Sequence, residues 1–373
     1  MISIRRQKII YQLEHEYACD NTFSEFGESF DVAKNILVVG APAYREKGKD
    51  VKGSVFVYTN GTLDEQMSMV STFSGLGAAV AISPNGYRIA ALARERNRST
   101  ILIFRKKETW TLEGIVPLAG ENVSRCSLFF SSDSTRLHVV QPVYKYDEGT
   151  RSWIGMIHVY RLAGTKWKAE TEITEEGVPE LGWFSSRLDM TTLLLSSREG
   201  DRLYTYDTDT KSLKLLQQLE KKAWRHYFHV TDDWLAASYP LQMKSTTNEV
   251  GEVHLYRREG SNYIPYTILT DANIGFGSCV HIHKNYLLVG APNYRAHGFH
   301  DLGAIIVYDL SQPQVTPLQL VVVPNLGKSA LFGAWFKHYN NTLFVATPFV
   351  RNWSGSVLKF RCIENVKRTE AQK

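Results

Sequence analysis

The chain has 373 residues, and its 43 Lys and Arg against 38 Asp and Glu leave a formal net charge of only +5 at pH 7. That balance permits an acidic partner without demanding one, and the basic residues are interleaved with acids, so no stripe suited to nucleic acid stands out. With 43% hydrophobic and 12% aromatic residues the chain is no disordered polyelectrolyte, and no run of about 18 apolar residues offers a membrane-spanning helix.

In chain order, the first element is an alternating run over residues 7–14. A first unit then opens at Phe26-Gly27, continues to Val38-Val39-Gly40-Ala41-Pro42, and ends in Gly53-Ser54-Val55-Phe56-Val57-Tyr58. The second runs from Leu76-Gly77 through Arg88-Ile89-Ala90-Ala91-Leu92 to Ile101-Leu102-Ile103-Phe104. The third runs from Cys126-Ser127-Leu128 through Val139-Val140-Gln141-Pro142 to Gly155-Met156-Ile157-His158-Val159-Tyr160. The fourth holds Gly182-Trp183-Phe184, Leu193-Leu194-Leu195-Ser196 and Arg202-Leu203-Tyr204-Thr205-Tyr206. The fifth holds Tyr227-Phe228, Trp234 to Pro240 and Gly251-Glu252-Val253-His254-Leu255-Tyr256. The sixth repeats the first nearly verbatim: Phe276-Gly277, Leu288-Val289-Gly290-Ala291-Pro292 and Gly303-Ala304-Ile305-Ile306-Val307-Tyr308. The seventh has Phe332-Gly333, Phe344-Val345-Ala346-Thr347-Pro348 and Gly355-Ser356-Val357-Leu358-Lys359-Phe360. The closing aromatics fall at 58, 104, 160, 206, 256, 308 and 360. Their mean spacing of about 50 residues is the size of a four-stranded blade.

Within a unit, strand A follows the Phe-Gly pair, strand B precedes Ala-Pro, strand C is the Gly-led alternating run and strand D is more polar, as in Thr109-Trp110-Thr111-Leu112-Glu113. Period-two alternation bounded by Gly, Pro and Asn predicts strands, and a Pro that cannot donate to the ladder ends strand B. The Glu/Lys-rich stretch 170–180 is broken by Gly177 and Pro179 and predicts no long helix.

Phe-Gly, Gly-Ala-Pro and a Gly-led Val/Tyr strand together resemble the FG-GAP repeat of integrin α-subunit head domains. The likeness covers essentially the whole chain, strongly in units one and six, fairly in seven and weakly in two to five. It implies an all-β fold: one seven-bladed propeller of four-stranded antiparallel blades spanning residues 1–373. The seventh unit lacks a strand D before the charged tail 364–373, so residues 7–14 are expected to complete that blade and close the ring. The resemblance also implies an extracellular or cell-surface setting. Yet residues 1–14 lack the apolar core of a signal peptide, so an intracellular or virus-particle setting stays open, and the Asn-x-Ser/Thr sites at Asn60, Asn97, Asn122, Asn340 and Asn352 matter only on export.

Many family repeats hold calcium in an Asp-x-Asp/Asn-x-Asp-Gly loop between strands A and B. Here those turns read Lys34-Asn35, Pro84-Asn85, Asp133-Ser134, Met190-Thr191, Asp232-Asp233, Lys284-Asn285 and Asn340-Asn341, so calcium is not expected. Cys19, Cys126, Cys279 and Cys362 are too dispersed for a CxxC site; free thiols are the plain reading, and Cys19 with Cys362 is the one pair that ring closure could bring together. No metal site is expected elsewhere, although His229 and His281 align in strand A of adjacent units within the row Asp31, Ala81, Phe129, Arg187, His229, His281 and Lys337. That row predicts a polar channel wall. No G-x-S-x-G, HExxH, P-loop or Rossmann pattern is present, and no catalytic residue is assigned.

The connections between strands B and C carry the unusual content: Tyr44 and Arg45 in unit one; Tyr144, Tyr146, Arg151 and Trp153 in unit three; Tyr294 and Arg295 in unit six; Arg351 and Trp353 in unit seven. Tyr, Trp and Arg combine apolar area with planar hydrogen bonding, the chemistry of protein contacts. The expectation is a non-enzymatic recognition module holding a protein partner on this face, with no cofactor. One alternative is a carbohydrate-binding propeller using Trp153 and Trp353. Another is a hydrolase or lyase at the channel mouth, for which the strand A row supplies one obvious carboxylate, Asp31.

Overall fold

The computed structural model describes residues 8–46, 51–70, 73–95, 98–120, 126–220, 226–240, 251–271, 275–294, 303–324, 326 and 330–365. Seven antiparallel sheets form a ring, each of four strands except the second, which gains the short segment Phe73–Ser74. In order from strand A to strand D, blade one is Ser29–Ala33, Ile36–Ala41, Val51–Thr59 and Thr62–Val70. Blade two is Val80–Ile82, Arg88–Glu95, Arg98–Lys106 and Trp110–Pro117. Blade three is Ser127–Phe130, Arg136–Asp147, Ser152–Ala163 and Lys166–Ile173, so the Glu/Lys-rich stretch begins in an outer strand. Blade four is Ser185–Arg187, Thr192–Ser196, Arg202–Asp207 and Leu213–Gln218. Blade five is Tyr227–Val230, Trp234–Tyr239, Gly251–Glu259 and Asn262–Asp271. Blade six is Val280–His283, Tyr286–Ala291, Ala304–Asp309 and Pro317–Val321.

Blade seven takes Trp335–Tyr339, Thr342–Thr347 and Ser356–Asn365 from the end of the chain and Lys8–Ala18 from its start. The first strand pairs antiparallel with the last, Lys8 opposite Asn365 and Ala18 opposite Ser356. It therefore runs past the expected limit at residue 14.

Burial along each blade follows from its two-sided packing. Strand B is sandwiched between neighbouring blades and is buried at every position in Trp234–Tyr239 and Tyr286–Ala291, which is why it reads as a continuous apolar run. Strand D forms the outer rim and, in Lys166–Ile173, is only half-buried or exposed along its length. The cores lie between blades: Val38, Val55 and Val57 of blade one pack with Ile82, Ile89 and Leu102 of blade two. Ile9 and Tyr11 enter the core shared by blades six and seven. Cys362 lies in that core, whereas Cys19 lies in the core between blades seven and one, so the pair sits on opposite faces of blade seven and is not bridged.

The repeat motif is the joint between blades. Gly303, which leads strand C of blade six, bridges Phe332 ahead of blade seven, and a Cβ on Gly303 would lie 2.2 Å from the Phe332 carbonyl oxygen. Beside it, a Cβ on Gly290 would fall 1.9 Å from the Gly333 carbonyl oxygen. Phe26, Phe276 and Phe332 are fully buried at these joints. Phe-Gly of one blade and the two glycines of the preceding one are thus halves of a single close backbone contact, which no side chain can enter.

Candidate functional site

Because the strands alternate in direction, the B–C and D–A connections emerge together on one face of the ring. On that face the B–C connection of blade seven carries the longest left-handed run of non-glycine residues among the described residues. Arg351, Asn352 and Trp353 have φ of 51°, 58° and 66°, three consecutive non-glycine residues in the left-handed region. Each such residue costs roughly 1–2 kcal/mol, so the conformation persists only where its surroundings over-determine it. Here the D–A connection leading into blade one supplies that constraint. Phe23 N–H donates to the Asn352 carbonyl (3.1 Å), Glu25 N–H to that of Trp353 (2.9 Å) and Ser24 Oγ to that of Ser354 (2.7 Å).

The result is an outward aromatic group. Phe23 is 64% exposed, Trp353 46% and Trp335, at the start of strand A, 38%. Phe349 lies between the tryptophans, with ring centroids 4.7 Å from Trp353 and 6.0 Å from Trp335. Arg351 pairs with Glu16 at 3.0 Å. Phe23, Trp335 and Phe349 were not among the residues expected from the sequence, although two of them stand within three residues of a Phe-Gly motif.

A second group rises from blade three. Its strands B and C extend into a hairpin where Tyr146 faces Trp153 at 5.4 Å, with Tyr146 40% exposed. Asp147 accepts from Gly149 N–H (3.0 Å) and Thr150 Oγ1 (2.8 Å) to fix the tip, and Arg151 is exposed with φ 53°. Tyr144 turns inward against His158, 4.9 Å away. The remaining sequence candidates are placed differently. Tyr44 is half-buried against Phe56 (5.6 Å), and its N–H closes a turn on the Ala41 carbonyl. Tyr294 repeats that turn on Ala291 and packs on the blade five–six core, so the shared Ala-Pro-x-Tyr builds the same loop twice. Arg45 is exposed, its carbonyl held by Asn21 Nδ2 at 2.6 Å. Arg295, His297, His300 and residues 241–250 lie outside the described residues. Among the described residues no contact joins the blade three group to that of blade seven.

The strand A row does gather at the centre, where strands A of adjacent blades touch. Lys337 pairs with Asp31 across the closing joint, and Asp31 also accepts from Ile82 N–H at 2.9 Å. Its one carboxylate is thus already engaged on both sides. Arg187 lies over the Phe129 ring and donates to the Phe130 carbonyl. His229 and His281 bring their rings to 4.0 Å. On the opposite face, a cleft of about 320 Å³ between blades one and seven is lined by turn residues such as Lys34, Asn60 and Asn340 with Lys359.

Burial dominates the histidines here. It pushes His229 down to about 4 and His338 to about 3; His138, fully buried on blade three and bonded to Tyr206 Oη at 3.1 Å, also falls to about 3. For His138 the Arg187 and Arg136 charges add to the depression, against smaller opposing contributions from Asp209 and Glu170. A depressed imidazole leaves the unfolded chain binding more protons below about 6.5, so its contribution is complete above that pH and is lost as pH falls toward the folded value. The unfolding free energy is therefore expected to drop between pH 6.5 and 4.5, by up to about 1.4 kcal/mol per pH unit for each such histidine, and the urea midpoint with it. A flat midpoint across that window would contradict the assignment.

No protein-family model matches the chain, and no curated protein matches it. Solved structures do. The chain superposes on the RRP9 WD40 repeats with TM-score 0.54 at 11% identity, covering 95% of this chain and 98% of that one. U3-55K gives the same values. The β-propeller domain of the Trilobed protease from Pyrococcus furiosus, which has an open velcro topology, gives 0.53 at 10% identity, covering 97% and 99%. These likenesses establish the seven-bladed propeller and nothing finer.

Proposed function

We propose that this propeller is a non-enzymatic recognition module that binds a protein partner on the face formed by its B–C and D–A connections. The observation that carries the reading is the aromatic group of blade seven: Phe23, Trp335 and Trp353 are exposed together, beside Arg351, on a backbone held in a costly conformation. A soluble surface gains nothing from displaying such a group, whereas an interface core is built from it. The Tyr146–Trp153 hairpin, with Arg151 at its tip, is a second contact on the same face. An FG-GAP-type, integrin-like ancestry fits the shared joint at Phe26-Gly27, Phe276-Gly277 and Phe332-Gly333.

The test is capture from the native source followed by reconstitution with the purified partner. Wild type is compared with Trp335→Ala/Trp353→Ala and with Tyr146→Ala/Trp153→Ala, each at unchanged melting temperature. Loss of two such aromatics is expected to weaken binding at least tenfold, since buried aromatic anchors contribute about 2 kcal/mol or more. Equal binding by both variants would sink the proposal. Binding to glycans, lost on Trp153→Ala or Trp353→Ala, would replace the protein partner with a carbohydrate.

A further inference from the structure

On the face opposite this aromatic group, three metal-ligand side chains meet at the seam between blades six and seven. His283 ends strand A of blade six, His338 lies in strand A of blade seven, and Cys362 lies in strand C of blade seven, directly opposite Tyr11 of the closing strand. One donor atom from each lies within 4.8 Å of the other two. The two imidazoles stack with centroids 3.8 Å apart, and Tyr11 meets His338 edge-on at 6.1 Å. His338 is only 9% exposed, yet its Nε2 is buried with no hydrogen-bond partner. A buried ring nitrogen in that state calls for an explanation.

We propose that His283, His338 and Cys362 bind a zinc-class divalent transition metal that ties blade six to blade seven beside the ring-closing strand. Two imidazoles and a thiolate are the borderline-soft donors such an ion selects, whereas calcium and magnesium require oxygens. Bond lengths of about 2.0–2.3 Å place tetrahedral ligands roughly 3.4–3.8 Å apart, so the donors draw together by about 1 Å. His283 is half-buried and adjoins the Lys284-Asn285 turn, which leaves it room to move. Cys362 gives its thiol proton to solvent as the sulfur–metal bond forms, and no electron is transferred. The fourth position falls to water or to His281, whose ring stacks on His338 at 5.5 Å.

The full chain, stripped with chelator, is titrated with cobalt(II), and zinc is used to displace it. Wild type should show a thiolate-to-cobalt charge-transfer band, with one ion bound per band-forming site, and a melting temperature that rises with zinc. Cys362→Ser should abolish the band and the zinc-dependent rise. His283→Asn should keep the band and weaken cobalt at least tenfold; Cys279→Ser should behave as wild type. Absence of the band in wild type, its survival in Cys362→Ser, or unchanged affinity in His283→Asn would each overturn the site. The His283 variant decides the question even where Cys362→Ser fails to fold.

Discussion

Removal of residues 1–14 is expected to open the ring and cause the protein to aggregate. The deletion strips the ladder from Lys8–Asn365 to Leu13–Phe360 and leaves residues 360–365 of the last strand as an open edge. It also removes Ile9 and Tyr11, which are 0% and 4% exposed within the blade six–seven core. Two such side chains stabilise by roughly 3–6 kcal/mol, much of the 5–15 kcal/mol that holds a typical domain together. The reciprocal bonds between Gln319 and the Tyr11 backbone, at 3.1 and 3.3 Å, go as well. Size-exclusion chromatography and thermal unfolding decide the matter. A truncated chain that stays monomeric and melts within a few degrees of wild type would show that the strand is dispensable.

Gly290→Ala is expected to be the most damaging single-methyl change. Its new Cβ would stand 1.9 Å from the Gly333 carbonyl oxygen and 3.2 Å from Phe336 Cε1, and the nearer obstacle is the backbone of the next blade, which cannot rotate away. Relief requires moving blade six from blade seven, so the cost should reach about 3 kcal/mol or more. Gly149→Ala is the control: its nearest neighbour, Asp147 Oδ1, lies at 3.4 Å, and the change should stay within about 0.5 kcal/mol. Matching urea midpoints for the two variants would refute the account of the joint.

That joint also explains what could be read from the sequence. A contact that admits only glycine, beside a Phe with no exposed surface, keeps the same residues wherever it recurs, so Phe26-Gly27, Phe276-Gly277 and Phe332-Gly333 stood out and gave the period. The first strand was visible by its alternation, and only its end, at Ala18, was misplaced. The sites were harder for a physical reason: they are assembled across the chain. Residues 23–26 meet residues 352–354 through backbone bonds that no local pattern encodes. Arg351, Asn352 and Trp353 carry no glycine to announce their left-handed turn. His283, His338 and Cys362 come from three strands of two blades, a spacing unlike any contiguous zinc motif. Tyr44 and Tyr294 were conspicuous because they repeat, and the repeat reflects a shared turn.

The strand that closes the ring also sets a clock. Lys8 is opposite Asn365, so the first strand leaves the ribosome long before its partner is made. At about 5–20 residues per second the wait is roughly 20–70 s, during which Ile9 and Tyr11 have no blade to enter. Six blades can be complete while the seventh has only its outer strand, Lys8–Ala18. The nascent chain therefore passes through an open ring whose two unsatisfied edges match each other, and the same pairing between two ribosomes would link neighbouring chains head to tail.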